Sequence, residues 1–167
     1  MSYDGKRLKI SLNDKNGIRN ALKVLENYGK RDDANVTKFI EKMVDKGVKY
    51  AQSICPVDTG LLRGSIRGKV ETSTYKIKGT ISVGTDHAAF VEFGTGVVGQ
   101  GTYPNIAQTV YAYDVNGHGE DGWNYFDDAR QQFFHTKGQE ANPFMYETAK
   151  YLNGVAIATA GEVANDK

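Results

Sequence analysis

A chain of 167 residues is long enough for one domain with a real apolar core, since about 70% of the unfolded surface of such a chain is buried on folding. Its 21 basic and 20 acidic side chains leave a net charge of +1, so charge as a whole draws it neither to nucleic acid nor to an anionic membrane. The single cysteine, Cys55, excludes an internal disulfide, and no apolar run approaches the roughly 18 residues of a membrane span.

In chain order, Asn16–Tyr28 carries Ile18, Ala21, Leu22 and Leu25 at helical spacing, with Gly29 as a stop. The leader before it, with Lys6, Arg7, Lys9 and Lys15, continues into Arg19 and Lys23 as a positive, solvated surface. A longer helix is expected over Ala34–Cys55. Val36, Ile40, Met43, Gly47, Ala51 and Ile54 form one face, Asp32, Asp33 and Asn35 supply capping oxygens, and Pro56 ends it.

The period then changes to two. Ser65–Glu71 and Lys76–Gly84 alternate apolar and polar residues and read as a hairpin. Ala88–Phe93 reads as a third strand, with Ala89, Val91 and Phe93 on one face. Gly94–Asn105 is a glycine-rich loop. Beyond it the rings concentrate in Thr109–Val115, Trp123–Phe126 and Gln132–Thr136, the pattern of a β-hairpin or short meander. Asn142 and Pro143 open a last helix carrying Phe144, Thr148, Tyr151, Leu152 and Val155. The reading is an α+β fold over a single domain, 1–167: an antiparallel β-sheet packed against the long helix and the C-terminal helix, with a protruding aromatic β-hairpin arm. Within it, 1–31 is the N-terminal helix and leader, 97–141 the loop and arm insertion, and 142–163 the C-terminal helix.

The short motifs do not carry catalysis. Asp58-Thr59-Gly60 matches the aspartic-protease triplet, but that chemistry needs two carboxylates sharing a proton, and only one triplet is present. A helix-exit turn fits better, with Asp58 capping the next turn and Gly60 taking a positive φ. Gly94, Gly96 and Gly99 match G-x-G-x-x-G, yet Gln100–Pro104 cannot open the helix that a dinucleotide site requires. His118 with Glu120 and Asp121 reads as a solvated turn, Cys55 as a buried thiol, and Glu92 as one half of a salt bridge to an arginine, of this chain or of a neighbouring subunit. No catalytic, cofactor or metal site is expected.

The ordered set CPVDTGLLRGSI (55–66), ISVGT (81–85), HAAFVEFGTG (87–96) and NPFMYETA (142–149) resembles the HK97 gp10-like phage proteins, also described as head–tail joining or tail-completion proteins. The matching positions are Pro56, Asp58, Thr59, Gly60, Leu62, Ser65, Gly84, Glu92, Gly94, Thr95, Pro143 and Phe144, within about Ala34–Tyr151. Two departures stand out: Ala89 or Phe90 replaces the usual tyrosine before VEFGT, and the stretch Val97–Ala141 is long. The resemblance implies a structural subunit without cofactor that forms a ring at the junction of capsid and tail. It would assemble in the host cytoplasm, stay in the virion, and contact itself and neighbouring neck, connector or tail proteins. DNA would pass through its channel without sequence-specific binding, and no membrane would be involved. A tail terminator of the same virion, or a dimeric aspartic-protease-like enzyme using Asp58, are the rival readings. The structural turn (Pro56, Asp58, Thr59, Gly60) and the strand-to-loop segment (Glu92, Gly94, Thr95) then serve as landmarks. Tyr111, Tyr113, Trp123, Tyr125, Phe126, Phe133 and Phe134 form the expected interface, because exposed rings usually mark a partner site.

Overall fold

The computed structural model describes residues 7–12, 16–74, 76–104, 111, 120–128 and 130–166, and the backbone of 2–3. Two short N-terminal strands, β1 (Ser2–Tyr3) and β2 (Leu8–Ser11), precede helix α1 (Asn16–Asn27). Helix α2 (Asp33–Ile54) leads through a corner into the single turn α3 (Leu61–Gly64) and strands β3 (Arg67–Ser73) and β4 (Lys76–Val83). Two short helices follow, α4 (Ala88–Phe93) and α5 (Gly96–Gly99). Strands β5 (Trp123–Asp127), β6 (Gln132–Thr136) and β7 (Gly138–Gln139) precede the long C-terminal helix α6 (Phe144–Asn165).

The main sheet is antiparallel with strand order β1-β2-β4-β3. The leader expected to be only a charged surface thus supplies β2, whose register sets Leu8 opposite Val83 and Ile10 opposite Ile81. Leu8, Ile10 and Leu12 alternate with Lys9 and Ser11, and all three apolar side chains are buried. The alternation is too short to stand out among flanking lysines, and pairing with β4 is what makes it a strand.

Helix α2 lies against the inner face of β3 and β4, and α6 lies beside α2, flanked by α1. Gly47 sits at the centre of this arrangement. A methyl group there would collide with Ile81 of β4 on one side and lie 2.9 Å from Leu152 of α6 on the other. The missing side chain therefore lets α2 touch a strand and a helix at once. Asp32 caps α2 by accepting a hydrogen bond from Asn35 N at 2.9 Å. Asn153 of α6 accepts from Gly17 N at 3.0 Å and pins the start of α1. Lys38, Lys42 and Lys46 of α2 pair with Glu162 and Asp166 of α6 on the surface, contacts that contribute little each.

The third expected strand, Ala88–Phe93, is instead α4. Its buried residues are Ala88, Ala89, Glu92 and Phe93, the i, i+4 pairs of a helix rather than alternate positions of a strand. Two alanines favour the helix, and Gly94 terminates it at φ 81°. The expected loop after it is partly ordered as α5. The glycines of G-x-G-x-x-G have a packing explanation: a Cβ at Gly94 or Gly99 would lie under 3 Å from the backbone of Gln139, and one at Gly96 would collide with that of Lys137. They let this segment run against the approach to α6, so the dinucleotide reading has no space left to occupy.

Candidate functional site: the corner, the Glu92 clasp and the aromatic hairpin

Pro56 ends α2, and Cys55 adopts extended angles as its C-cap. Gly60, at φ 83°, then turns the chain into α3. Asp58 does not cap this turn as expected. Gly60 is the N-cap residue, without a side-chain cap, and Thr59 Oγ1 accepts from Leu61 N at 3.4 Å. The corner is held elsewhere: Arg63 donates to Cys55 O at 3.3 Å, Leu62 is buried, and Ser65 Oγ donates to Leu62 O at 2.8 Å. Cys55 is buried as expected, and burial is the main cause that pushes its thiol pKa up, away from nucleophilic reactivity.

Glu92 provides the clearest piece of site chemistry. It is buried, and it accepts hydrogen bonds from Met145 N at 2.8 Å, Tyr146 N at 2.9 Å and Tyr103 Oη at 3.3 Å. Pro143, the N-cap residue of α6, offers no side-chain oxygen. Glu92 reaches across from α4 and caps α6 in its place, where the helix dipole favours negative charge. Among the described residues it has no arginine partner, so the expected salt bridge is replaced by a helix cap within the chain. Desolvation outweighs the three hydrogen bonds and lifts its pKa to about 7. Beside it, Phe93 meets Tyr103 edge-on at 4.8 Å and Tyr111 at 4.6 Å, and Tyr111 Oη donates to Gly94 O at 2.8 Å.

The corner, α4 and the run into α6 enclose an open cleft of about 700 Å³ lined by Pro56–Leu62, His87, Val91, Gln139, Glu140 and Asn142. Two apolar side chains of its lining, Val57 and Leu61, are 51% and 66% exposed, and Phe90 of α4 is 50% exposed. Pro56, Asp58, Thr59 and Gly60 thus come together with α4. Glu92, Gly94 and Thr95 lie behind the cleft: Glu92 and Gly94 are buried, and Thr95 accepts from Gln139 N.

Strands β5 and β6 form a separate two-stranded hairpin, with Tyr125 opposite Phe134 and Phe126 opposite Phe133. One face carries Trp123, half-buried near Gly96, and the Tyr125–Phe134 stack at 5.9 Å. The other carries the Phe126–Phe133 pair at 5.1 Å, with Phe133 73% exposed. The ring of Tyr111 is half-buried against Phe93 rather than presented to solvent. Tyr113 and His118, with most of Thr109–Val115, lie outside the described residues. Arg130, at the hairpin turn, pairs with Asp127, which holds its guanidinium pKa up. No group of His, Cys, Asp and Glu among the described residues could hold a metal, and no described helix is long and apolar enough to cross a membrane.

Residues 19–94 match the model of the HK97-gp10-like family, described as "Bacteriophage HK97-gp10, putative tail-component". The match begins in α1 and closes at Gly94, so it contains the corner and Glu92, while the hairpin and α6 lie beyond it. No curated protein and no solved structure matches the chain.

Proposed function

We propose that this HK97-gp10-like chain, a phage tail and morphogenesis component by family, is a non-enzymatic subunit of the head–tail junction that works by assembling into a ring. The observation that carries the proposal is the apolar surface. Val57 and Leu61 stand exposed on the lining of one cleft, Phe90 stands exposed on α4, and Phe126 and Phe133 stand exposed on the β5–β6 hairpin. Rings displayed to water are costly for an isolated subunit and repaid on contact with a partner. Tyr125, Phe126, Phe133 and Phe134 are therefore the proposed interface residues, with the corner as the receiving surface. DNA would pass through the ring without sequence-specific contacts.

The test replaces Phe126 and Phe133 with serine and follows the protein by native mass spectrometry and by complementation of virion assembly. Loss of oligomers and of tailed particles, with an unchanged far-UV spectrum, is the expected result. Unaltered assembly would remove the hairpin from the interface. Cryo-EM of the particle separates a neck ring from a tail terminator.

A further inference from the structure

The two edges of the main sheet are unlike. One is β1, two residues long, and the other is β3, seven residues long. Sheets usually blunt a long edge with a proline, a bulge or an inward-pointing charge, because its unpaired N–H and C=O groups otherwise template another strand. β3 has none of these devices. Arg67–Ser73 contains no proline, and its register with β4 advances one residue at a time from Arg67 opposite Ser82 to Ser73 opposite Lys76. Its inward positions are Gly68, Val70 and Thr72, the partners of Ile81, Gly79 and Ile77. Val70 is half-buried and the other residues of the strand are exposed, and among the described residues no strand pairs with its outer edge.

The charges of β3 select a second copy of β3 as the strand that fits. An antiparallel pair centred on Val70 uses the whole strand: Val70 meets its own copy, Gly68 meets Thr72, Arg67 meets Ser73, and Lys69 meets Glu71 in both directions. Moving the centre one residue either way shortens the overlap and opposes Lys69 to its own copy or Glu71 to its own copy, and like charges directly opposite are destabilising. Within one copy Lys69 already pairs with Glu71 at 2.7 Å, with side chains 71% and 50% exposed. That pair stays in place, and the second copy adds an opposite charge on the other side of each, so that the four charges alternate. Arg67 donates to Gly64 O and Ile66 O and takes no part. On the inward side an open groove of about 300 Å³ between α2 and β3 is lined in part by Val44, Val48 and Val70, and the second Val70 covers its apolar end. Glu41 and Asp45 of α2 also line it, and only Asp45 has a described cation, Lys49. These carboxylates keep the two α2 helices from closing tightly, so the strand pair carries the contact. An interface of that extent stays below the roughly 1,200 Å² of a stable one and belongs to weak association, with a dissociation constant of about 10–100 µM.

We infer that β3 is a self-recognition edge: two copies of the chain pair antiparallel about Val70 and join their four-stranded sheets into one continuous sheet. The contact is isologous, since each copy offers the same strand. It uses neither the β5–β6 hairpin nor the corner, so it stands apart from the ring reading.

The experiment is sedimentation velocity of the full chain carrying Phe126→Ser and Phe133→Ser, so that hairpin contacts do not contribute. Protein is varied from about 5 to 500 µM at about 50 mM salt, where surface charges are little screened. This parent should show a monomer–dimer equilibrium. Adding Lys69→Glu alone, or Glu71→Lys alone, sets like charges opposite each other in both cross-strand pairs and should weaken the dimer at least about tenfold. Mixing these two variants in equal amounts should restore a heterodimer to within about threefold of the parent affinity, because every opposing pair is again of opposite sign. Neither variant keeps the Lys69–Glu71 pair within its own strand, so recovery on mixing reports contact between copies. A parent that stays monomeric throughout, single variants that associate like the parent, or a mixture that remains monomeric would each overturn the assignment. Far-UV spectra of the variants exclude misfolding, since both substituted side chains are exposed.

Discussion

Replacing Glu92 with glutamine tests the reading of the α4–α6 clasp through its pH dependence. Glutamine has the size of the protonated carboxyl and cannot titrate. In the native chain the Glu92 pKa stands at about 7, against 4.5 for the free side chain, because burial outweighs the hydrogen bonds from Met145, Tyr146 and Tyr103. Between those two values the folded state keeps a proton that the unfolded chain has released. The stability contributed by this proton is therefore full below about pH 4.5 and is lost as the pH rises to about 7. At about 1.4 kcal/mol per pKa unit, the loss is about 3 kcal/mol. The quantity to measure is the unfolding free energy of the parent minus that of Glu92→Gln, from urea titrations at half-unit steps from pH 4.5 to 8. Other titrating groups are common to both proteins and cancel. The difference should fall by about 3 kcal/mol up to pH 7 and then level off. A flat difference would place the carboxyl in solvent. A rising one would mean that the three donors outweigh burial and that the ionised cap stabilises the fold.

The other predictions concern packing and reactivity. Glu92→Ala leaves the amides of Met145 and Tyr146 without an acceptor and should cost about 3 kcal/mol in the same assay near neutral pH. Gly47→Ala drives a methyl group into Ile81 and should cost about 1–3 kcal/mol. Adding Ile81→Val removes the colliding atom, so a double-mutant cycle should recover a measurable part of that cost. Gly60→Ala places a side chain at φ 83° and should cost about 1–2 kcal/mol, with nothing nearby to clash, so denaturant midpoints of Ala and Asn variants should separate by backbone preference alone. Cys55 should stay unreactive toward a thiol reagent in the native protein and react at once in 6 M guanidinium.

The elements legible in the sequence were those whose signals are local. The apolar stripe of α2, its Asp32 cap and its Pro56 stop lie within one segment, and so does the alternation of β3 and β4. β2 was hidden because four residues of alternation in a lysine-rich leader become a strand only when β4 supplies the partner. α4 was misread because Ala89, Val91 and Phe93 satisfy a period of two, while the burial of Ala88 and Glu92 obeys a helical one. Glu92 carried one usable hint: a carboxylate between Val91 and Phe93 sits where an apolar residue is usual. A second hint was Pro143, a helix start without a capping oxygen. That these two needs answer each other across more than fifty residues is a tertiary fact, outside the reach of any local pattern. Of the aromatic segment, read as a hairpin or short meander, Trp123–Asp127 pairs with Gln132–Thr136, and only the cross-strand register shows Phe126 and Phe133 sharing one exposed face.

The placement of α1 against α6 also governs the order in which the molecule can be completed. β2 and α1 leave the ribosome well before α6, yet the surface that buries Ile18, Ala21 and Leu25 is supplied in large part by that helix. Until α6 emerges, these side chains and the Glu92 carboxyl have no complement, and the nascent chain holds a sheet with an unfinished cover. Folding of such a topology waits on its longest loop closure. A subunit shortened within α6 would display sticky apolar surface instead of a finished exterior, a fault that proteases and chaperones can detect before the subunit is offered to its partners.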